Sequence, residues 1–146
     1  MNCFKDEGSI GRLVSILCRH VQAHISKELR PYNIGSGQYS LLMVLSHKNG
    51  SMQEMLASEL QMDKANVTRA ITKLEGQGYV RRESDAADKR VYRIYLTDKG
   101  REVIPLVQKV LSECNELISS GLDEDERAIV ICLLEKMVTN ARVYRH

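Results

Sequence analysis

Asp88 and Arg90 stand two residues apart in the stretch DAADKRVYRIYL. On an extended stretch that spacing places a carboxylate and a guanidinium on the same side, where the acid can fix the direction of the long basic side chain. A hairpin tip is exposed to solvent, so an arginine there serves no core. Its chemistry suits the narrow, electronegative minor groove of duplex DNA. Lys89, Arg81, Arg82 and Arg93 surround it with cations fit for phosphate contacts, which carry affinity rather than sequence readout. Without a nucleic-acid partner the same pair is a surface salt bridge of little energy.

A second set of groups lies just upstream, in DKANVTRAITKLEGQG. Wound at 100° per residue with Val67, Ile71 and Leu74 inward, this helix turns Ala65, Arg69 and Thr72 outward, flanked by Asn66, Thr68 and Lys73. Short, polar and basic side chains are what a helix entering the major groove needs. Arginine can take guanine through two hydrogen bonds, asparagine can take adenine, and each good base contact is worth about 1–3 kcal/mol of discrimination. Taken alone, such a face also fits an ordinary solvated amphipathic helix. The elements on either side decide between the two.

Those elements follow from periodicity and punctuation. A first helix spans about Ser9 to Leu29 on three-and-four apolar spacing and ends at Pro31. A second, largely buried helix covers about Ser36 to Ser46. Asn49-Gly50 marks a turn, and Ser51 with Glu54 forms a capping box that opens a short helix from Met52 to Leu60, with Met52, Met55, Leu56 and Leu60 inward. Asp63 caps the helix carrying Asn66 and Arg69, and Gly78 suits its end. Tyr79–Glu83 and Val91–Leu96 read as two strands of a hairpin, with Tyr92, Ile94 and Leu96 holding it to the body. Thr97-Asp98 caps a helix running to about Ser119 with Pro105 in its second turn, and a last helix covers about Asp123 to Tyr144, its first turn acidic. Short helix, turn, helix and hairpin make a winged helix-turn-helix. The predicted fold class is mainly α with a small β-hairpin wing, and the apolar-striped terminal helices are expected to pack together and against a second copy.

Charge agrees with this layout. The chain of 146 residues carries a formal net charge of only +2, yet residues 64–101 hold ten basic and five acidic residues. That concentrates the basic excess in a quarter of the molecule, as in a polyanion-binding footprint. The N-terminus lacks the basic-then-apolar layout of a signal peptide and no apolar run approaches a membrane span, so a cytoplasmic location and no membrane partner are expected. Cys3, Cys18, Cys114 and Cys132 show no paired spacing, and the last three sit in apolar helical patterns as small hydrophobes. No nucleophile–base pair, metal cluster or glycine-rich phosphate loop supports an enzyme.

In the combination of ANVTRAITKLEGQGYVRR with DKRVYRIYLTDKG, the chain resembles the MarR family of winged helix-turn-helix transcriptional regulators. Asp88, Arg90, Leu96, Thr97 and Gly100 match the family's wing signature in register, and helix order and length agree over essentially the whole chain. The resemblance implies one domain over residues 1–146, with residues 36–100 as DNA-binding head and residues 1–30 and 101–146 as dimerisation helices. It implies a homodimer on a pseudo-palindromic operator, a repressor in most members, often released by a small phenolic or anionic ligand. By matching position it implies Arg90 as minor-groove arginine, Asp88 as its orienting partner, and Thr68 and Arg69 as recognition-helix contacts. Lys64-Ala65-Asn66 departs from the family's serine-rich start, so no consensus operator carries over. The alternative is a winged-helix protein-interaction module of the transcription machinery, which salt dependence separates from a DNA binder.

No resident cofactor or metal is expected. An aromatic-acid or phenolic effector is expected between the first two helices and the head, with Arg12, Arg19, His20, Gln38 and Tyr39 as candidate contacts. His20 and His24, four apart on one helix face, have metal-ligand spacing but no accompanying carboxylate or thiol set.

Overall fold

The structure, a computed structural model, describes residues 8–144. Helix α1 spans Ile10–Leu29 and starts where the Ser9 hydroxyl accepts the Arg12 amide. A single 3₁₀ turn, Arg30–Tyr32, follows, placed there by Pro31. Helix α2 spans Ser36–His47, and its first free amide is met by Gln38, whose Oε1 accepts the Gly35 N–H at 2.6 Å. Strand β1 is Ser51–Met52, α3 is Gln53–Leu60 and α4 is Lys64–Gly76. Strands β2, Val80–Ser84, and β3, Tyr92–Leu96, form the hairpin, and α5, Asp98–Ile118, leaves from it. Helix α6 covers Glu124–Val143.

The chain divides into two compact units, one ending at Cys114 and one beginning at Asn115, so that α5 runs from the first into the second. In the first unit, α2, α3 and α4 pack around Leu41, Leu42, Leu45, Leu56, Val67, Ile71 and Leu74, all essentially inaccessible. Each such side chain stabilises the unit by about 1.5–3 kcal/mol relative to exposure. Ile25 and Leu29 at the end of α1, Ile94 and Leu96 of β3, and Val103, Ile104, Val107, Val110 and Cys114 of α5 complete this core.

The hairpin supplies two strands of a three-stranded antiparallel sheet in the order β1-β3-β2, with Ser51 opposite Ile94 on one side of β3 and Arg82 opposite Ile94 on the other. This third strand corrects the reading of Ser51. Its backbone pairs with β3, its hydroxyl turns back to the Lys48 carbonyl at 2.5 Å, and α3 starts at Gln53 with no side-chain cap. A capping box needs the serine at the helix boundary, and the sheet takes it away. Met55, expected inward, is exposed, while Ala57 takes a core place on α3. The other caps follow the sequence: Asp63 accepts the Asn66 amide at 2.8 Å, and Gly78 takes a positive φ just after α4.

In the second unit, Asp123 and Glu126 cap α6 reciprocally, and Arg127 reaches Glu116 at 3.2 Å. No described residue of α6 is buried within the chain, and Ile129, Val130, Ile131, Leu133, Leu134 and Val138 are exposed. On α1, Ile10, Leu13, Val14 and Leu17 are exposed as well. Of the cysteines in the described residues, Cys114 is buried whereas Cys18 and Cys132 are exposed; Cys3 lies outside those residues. Among the described residues no helix is long and apolar enough to cross a membrane.

Candidate nucleic-acid interface

Helix α4 buries Val67, Ala70, Ile71 and Leu74 and leaves Ala65, Asn66, Thr68, Arg69, Thr72 and Lys73 exposed, as the wheel requires. Several of the polar groups already have partners. The Asn66 amide donates to Asp63 Oδ2 at 2.7 Å, and its oxygen accepts a hydrogen bond from the Arg69 guanidinium. Thr68 donates to the Lys64 carbonyl at 2.8 Å and accepts from Gln53 Nε2 at 2.6 Å. Gln53 therefore ties the start of α3 to α4, and nothing in its sequence neighbourhood announces that. Lys64 forms an open ion pair with Glu54.

At the hairpin tip, Arg90 Nε lies 3.2 Å from Asp88 Oδ1, which also accepts the Arg90 backbone N–H at 3.0 Å. The Arg90 side chain is 91% exposed. The pair is brought together by a turn and not by the extended stretch expected: the Val91 N–H closes on the Asp88 carbonyl at 3.0 Å. A turn holds the arginine more narrowly than a strand, because backbone and side chain share one acceptor.

The remaining wing cations differ in how far they are already engaged. Lys89 is exposed at the tip. Arg81 is exposed, pairs with Glu83 at 3.2 Å and stacks over the Tyr95 ring at 4.7 Å. Arg82 is partly buried, and its Nη2 donates to Thr72 Oγ1 at 2.7 Å, bracing β2 against α4. Arg93 is not a free phosphate ligand. Its Nε donates to Asp85 Oδ1 at 2.6 Å and its Nη1 to the Gly50 carbonyl at 3.0 Å. The Arg93 hydrogen bond holds the Asp85 carboxyl below its ordinary range, helped by the Asp88 and Ala87 amides, and Asp85 in turn raises Arg93. Of the three residues expected to hold the wing to the body, Ile94 and Leu96 are buried and Tyr92 is exposed.

Between α3, α4 and the wing lies a groove of about 300 Å³ lined by Gln53, Lys64, Thr68, Arg90, Val91 and Tyr92 among others. The hairpin's other end is fixed by Thr97, whose N–H donates to the Tyr79 carbonyl at 3.0 Å and whose hydroxyl donates to the Gly78 carbonyl at 2.5 Å. Gly100 packs onto this corner so closely that a Cβ would fall 2.1 Å from the Tyr79 oxygen. The glycine of the Leu-Thr-x-x-Gly run is thus a steric necessity, and its threonine holds the corner by hydrogen bonds.

The candidate effector contacts are more scattered. Arg12, Arg19 and His20 lie exposed on α1. Gln38 is buried, and its side-chain oxygen accepts the Gly35 N–H at 2.6 Å. Tyr39 lines a cavity of about 350 Å³ with Met43, Val44, His47, Leu60 and Leu111, and burial raises its phenol above the ordinary value, opposed in part by a hydrogen bond with Gln22. Among the described residues no three His, Cys, Asp or Glu side chains converge as a metal site.

Comparison with known proteins agrees with this geometry. A sequence profile of the MarR family matches residues 34–92. The chain is 41% identical to a MarR transcriptional regulator from Methanosarcina mazei, covering 92% of this chain and 97% of that one at a TM-score of 0.87. It is 25% identical to a MarR-family regulator from Listeria monocytogenes whose crystal structure is a complex with 26mer DNA, covering 90% and 88% at a TM-score of 0.85. The transcriptional regulator HosA of Escherichia coli is 30% identical over 101 residues, covering 69% of this chain and 75% of that protein.

Proposed function

The chain belongs to the MarR family of transcriptional regulators, and from that premise we propose that it binds duplex DNA as a homodimer, with α4 in the major groove and Arg90 in the adjoining minor groove. The observation that carries this reading is the tip of the wing, where Asp88 holds both the backbone and the side chain of a nearly fully exposed arginine. An isolated surface ion pair contributes little to stability, so the arrangement has its use outside the chain. Ala65, Asn66, Thr68, Arg69, Thr72 and Lys73 face the bases and phosphates. Asn66 lends its amide to Asp63 and its oxygen to Arg69, which favours guanine readout by Arg69 over adenine readout by Asn66. Arg81, Arg82 and Lys89 supply phosphate contacts, Arg82 the least because Thr72 already engages it.

The exposed apolar faces of α1 and α6 support a homodimer, since contiguous exposed apolar surface marks an interface. Two heads related by a twofold axis read a pseudo-palindromic operator, and occupancy of such a site represses transcription by excluding polymerase. A small aromatic acid or phenol entering the apolar cavity beside Tyr39 releases the DNA; Arg12, Arg19 and His20 stand on α1 outside that cavity's lining. The whole chain, residues 1–146, is one functional domain in this reading, with the head at residues 36–100 and dimerisation helices at residues 1–30 and 101–146.

Selection of bound fragments from the organism's genomic DNA, repeated with salicylate-like acids present, tests the reading. A recovered palindrome with affinity falling linearly in log salt supports it. Recovery of random fragments refutes sequence-specific binding, and undiminished recovery with every acid refutes the release step.

A further inference from the structure

We propose that Asp85 and Arg93 form a positioning pair that sets the DNA affinity of the wing by fixing the backbone from which Asp88 and Arg90 project. The inference rests on the wing reading above and adds two residues to it that need touch no DNA.

A continuous series of hydrogen bonds joins the body of the head to the wing tip. It begins at the Gly50 carbonyl, which accepts from Arg93 Nη1 at 3.0 Å, in a turn already held by the Gly50 N–H on the Ile94 carbonyl at 2.9 Å. Arg93 Nε then meets Asp85 Oδ1 at 2.6 Å. The other Asp85 oxygen accepts the Ala87 and Asp88 amides at 3.1 and 3.2 Å, while the Asp85 N–H closes the loop on the Val91 carbonyl at 2.8 Å. Asp88, whose amide is thereby held, accepts Arg90 through both its backbone and its guanidinium. The Asp85 side chain is 17% exposed and that of Arg93 37%, so the pair is only partly open to solvent, where the two strands end and the tip loop begins. A guanidinium engaged on two fixed acceptors has little left to offer a phosphate. An acid placed in a basic hairpin also opposes a polyanion by simple Coulomb repulsion. What Asp85 gives to DNA binding therefore has to come through geometry.

That conflict of signs gives the test. The full-length protein is titrated by fluorescence anisotropy, at fixed salt, against the tightest duplex recovered in the genomic selection. Asp85→Asn makes the wing more positive by one charge, yet positioning predicts binding weaker by about fivefold, the low end for removal of one groove interaction. Arg93→Lys keeps the charge but not the two-pronged geometry and is expected to weaken binding similarly. In an Arg90→Ala background, Asp85→Asn should cost less than about twofold, because it acts through Arg90. In the DNA-free protein, amide exchange at Ala87 and Asp88 should accelerate in Asp85→Asn while exchange in α4 stays unchanged.

Asp85→Asn binding as tightly as the parent, alongside a weakened Arg90→Ala, overturns the positioning pair and leaves the wing reading intact. An equal loss with and without Arg90 also overturns it, as does unchanged exchange at Ala87 and Asp88. A silent Arg90→Ala overturns the wing reading, and the inference with it.

Discussion

Gly100→Ala is the sharpest stability test, because two physical rules oppose each other there. Alanine is the better helix former, and in an exposed helix interior the exchange stabilises by up to about 1 kcal/mol. Gly100 sits in the first turn of α5, where its missing Cβ would lie 2.1 Å from the Tyr79 carbonyl oxygen and 3.2 Å from Leu96 Cδ2. Reaching ordinary van der Waals distance requires the strand and the helix to part by more than about 1 Å. Overpacking of this kind costs about 1–3 kcal/mol. The same oxygen accepts the Thr97 N–H, and breaking that bond adds about 1 kcal/mol. The net expectation is a destabilisation of about 1–3 kcal/mol, with the steric effect outweighing the helix propensity. Urea unfolding followed by circular dichroism at matched protomer concentration reads it, since assembly makes stability concentration-dependent. A midpoint lower by about 1 M at unchanged slope is expected for an m value near the usual range. A midpoint equal to or above that of the parent refutes the close-approach argument for this corner.

Four further outcomes are expected. Arg90→Ala should weaken specific duplex binding several-fold by gel shift while sedimentation still finds a dimer, and Lys89→Ala should flatten the slope of log affinity against log salt by about 0.9, the share of a single phosphate. Ile131→Asp, placing a charge on the exposed apolar face of α6, should yield monomers by sedimentation at micromolar concentration; a dimer would show that this face lies outside the interface. The folded-state pKa of Asp85 is depressed, so its contribution is complete above the unfolded value near 4 and is lost as pH falls through the lower folded value. The stability difference between parent and Asp85→Asn should therefore be constant from pH 8 to about pH 5 and shrink below about pH 4, measured by urea midpoint.

Periodicity makes most of the fold legible. The buried face of α4 is spaced three and four residues apart, and Asp63 and Asp123 are caps whose partners lie three residues on, so both are local signals. What stays hidden is non-local. Asn49-Gly50-Ser51 looks like a turn followed by a helix cap, and only the approach of β3 from 43 residues downstream makes Ser51 a strand. Arg93 reads as another phosphate ligand, because nothing in its immediate neighbours tells that the hairpin brings Asp85 and Gly50 to its guanidinium. Met55 and Tyr92 follow the spacing of inward residues and are exposed, since a short helix and a hairpin edge offer less core than their patterns suggest. The candidate site is readable where charge and exposure define it, at Arg90 and Arg69, and unreadable where a side chain's partner decides its role.

Arg82 ties the evolution of two reading elements together. Its guanidinium leaves β2 and donates to Thr72 on α4, with only a quarter of its side chain exposed. A drift at Thr72 toward a new base preference would leave a partly buried cation with only its loose ion pair to Glu75 at 3.9 Å, so that position changes at lower cost in company with residue 82. Ala65 carries only a methyl group, while the exposed Asn66 bonds both the Asp63 cap and Arg69. A lineage exploring new operators would move first through those three positions and reach position 72 late, by paired replacement.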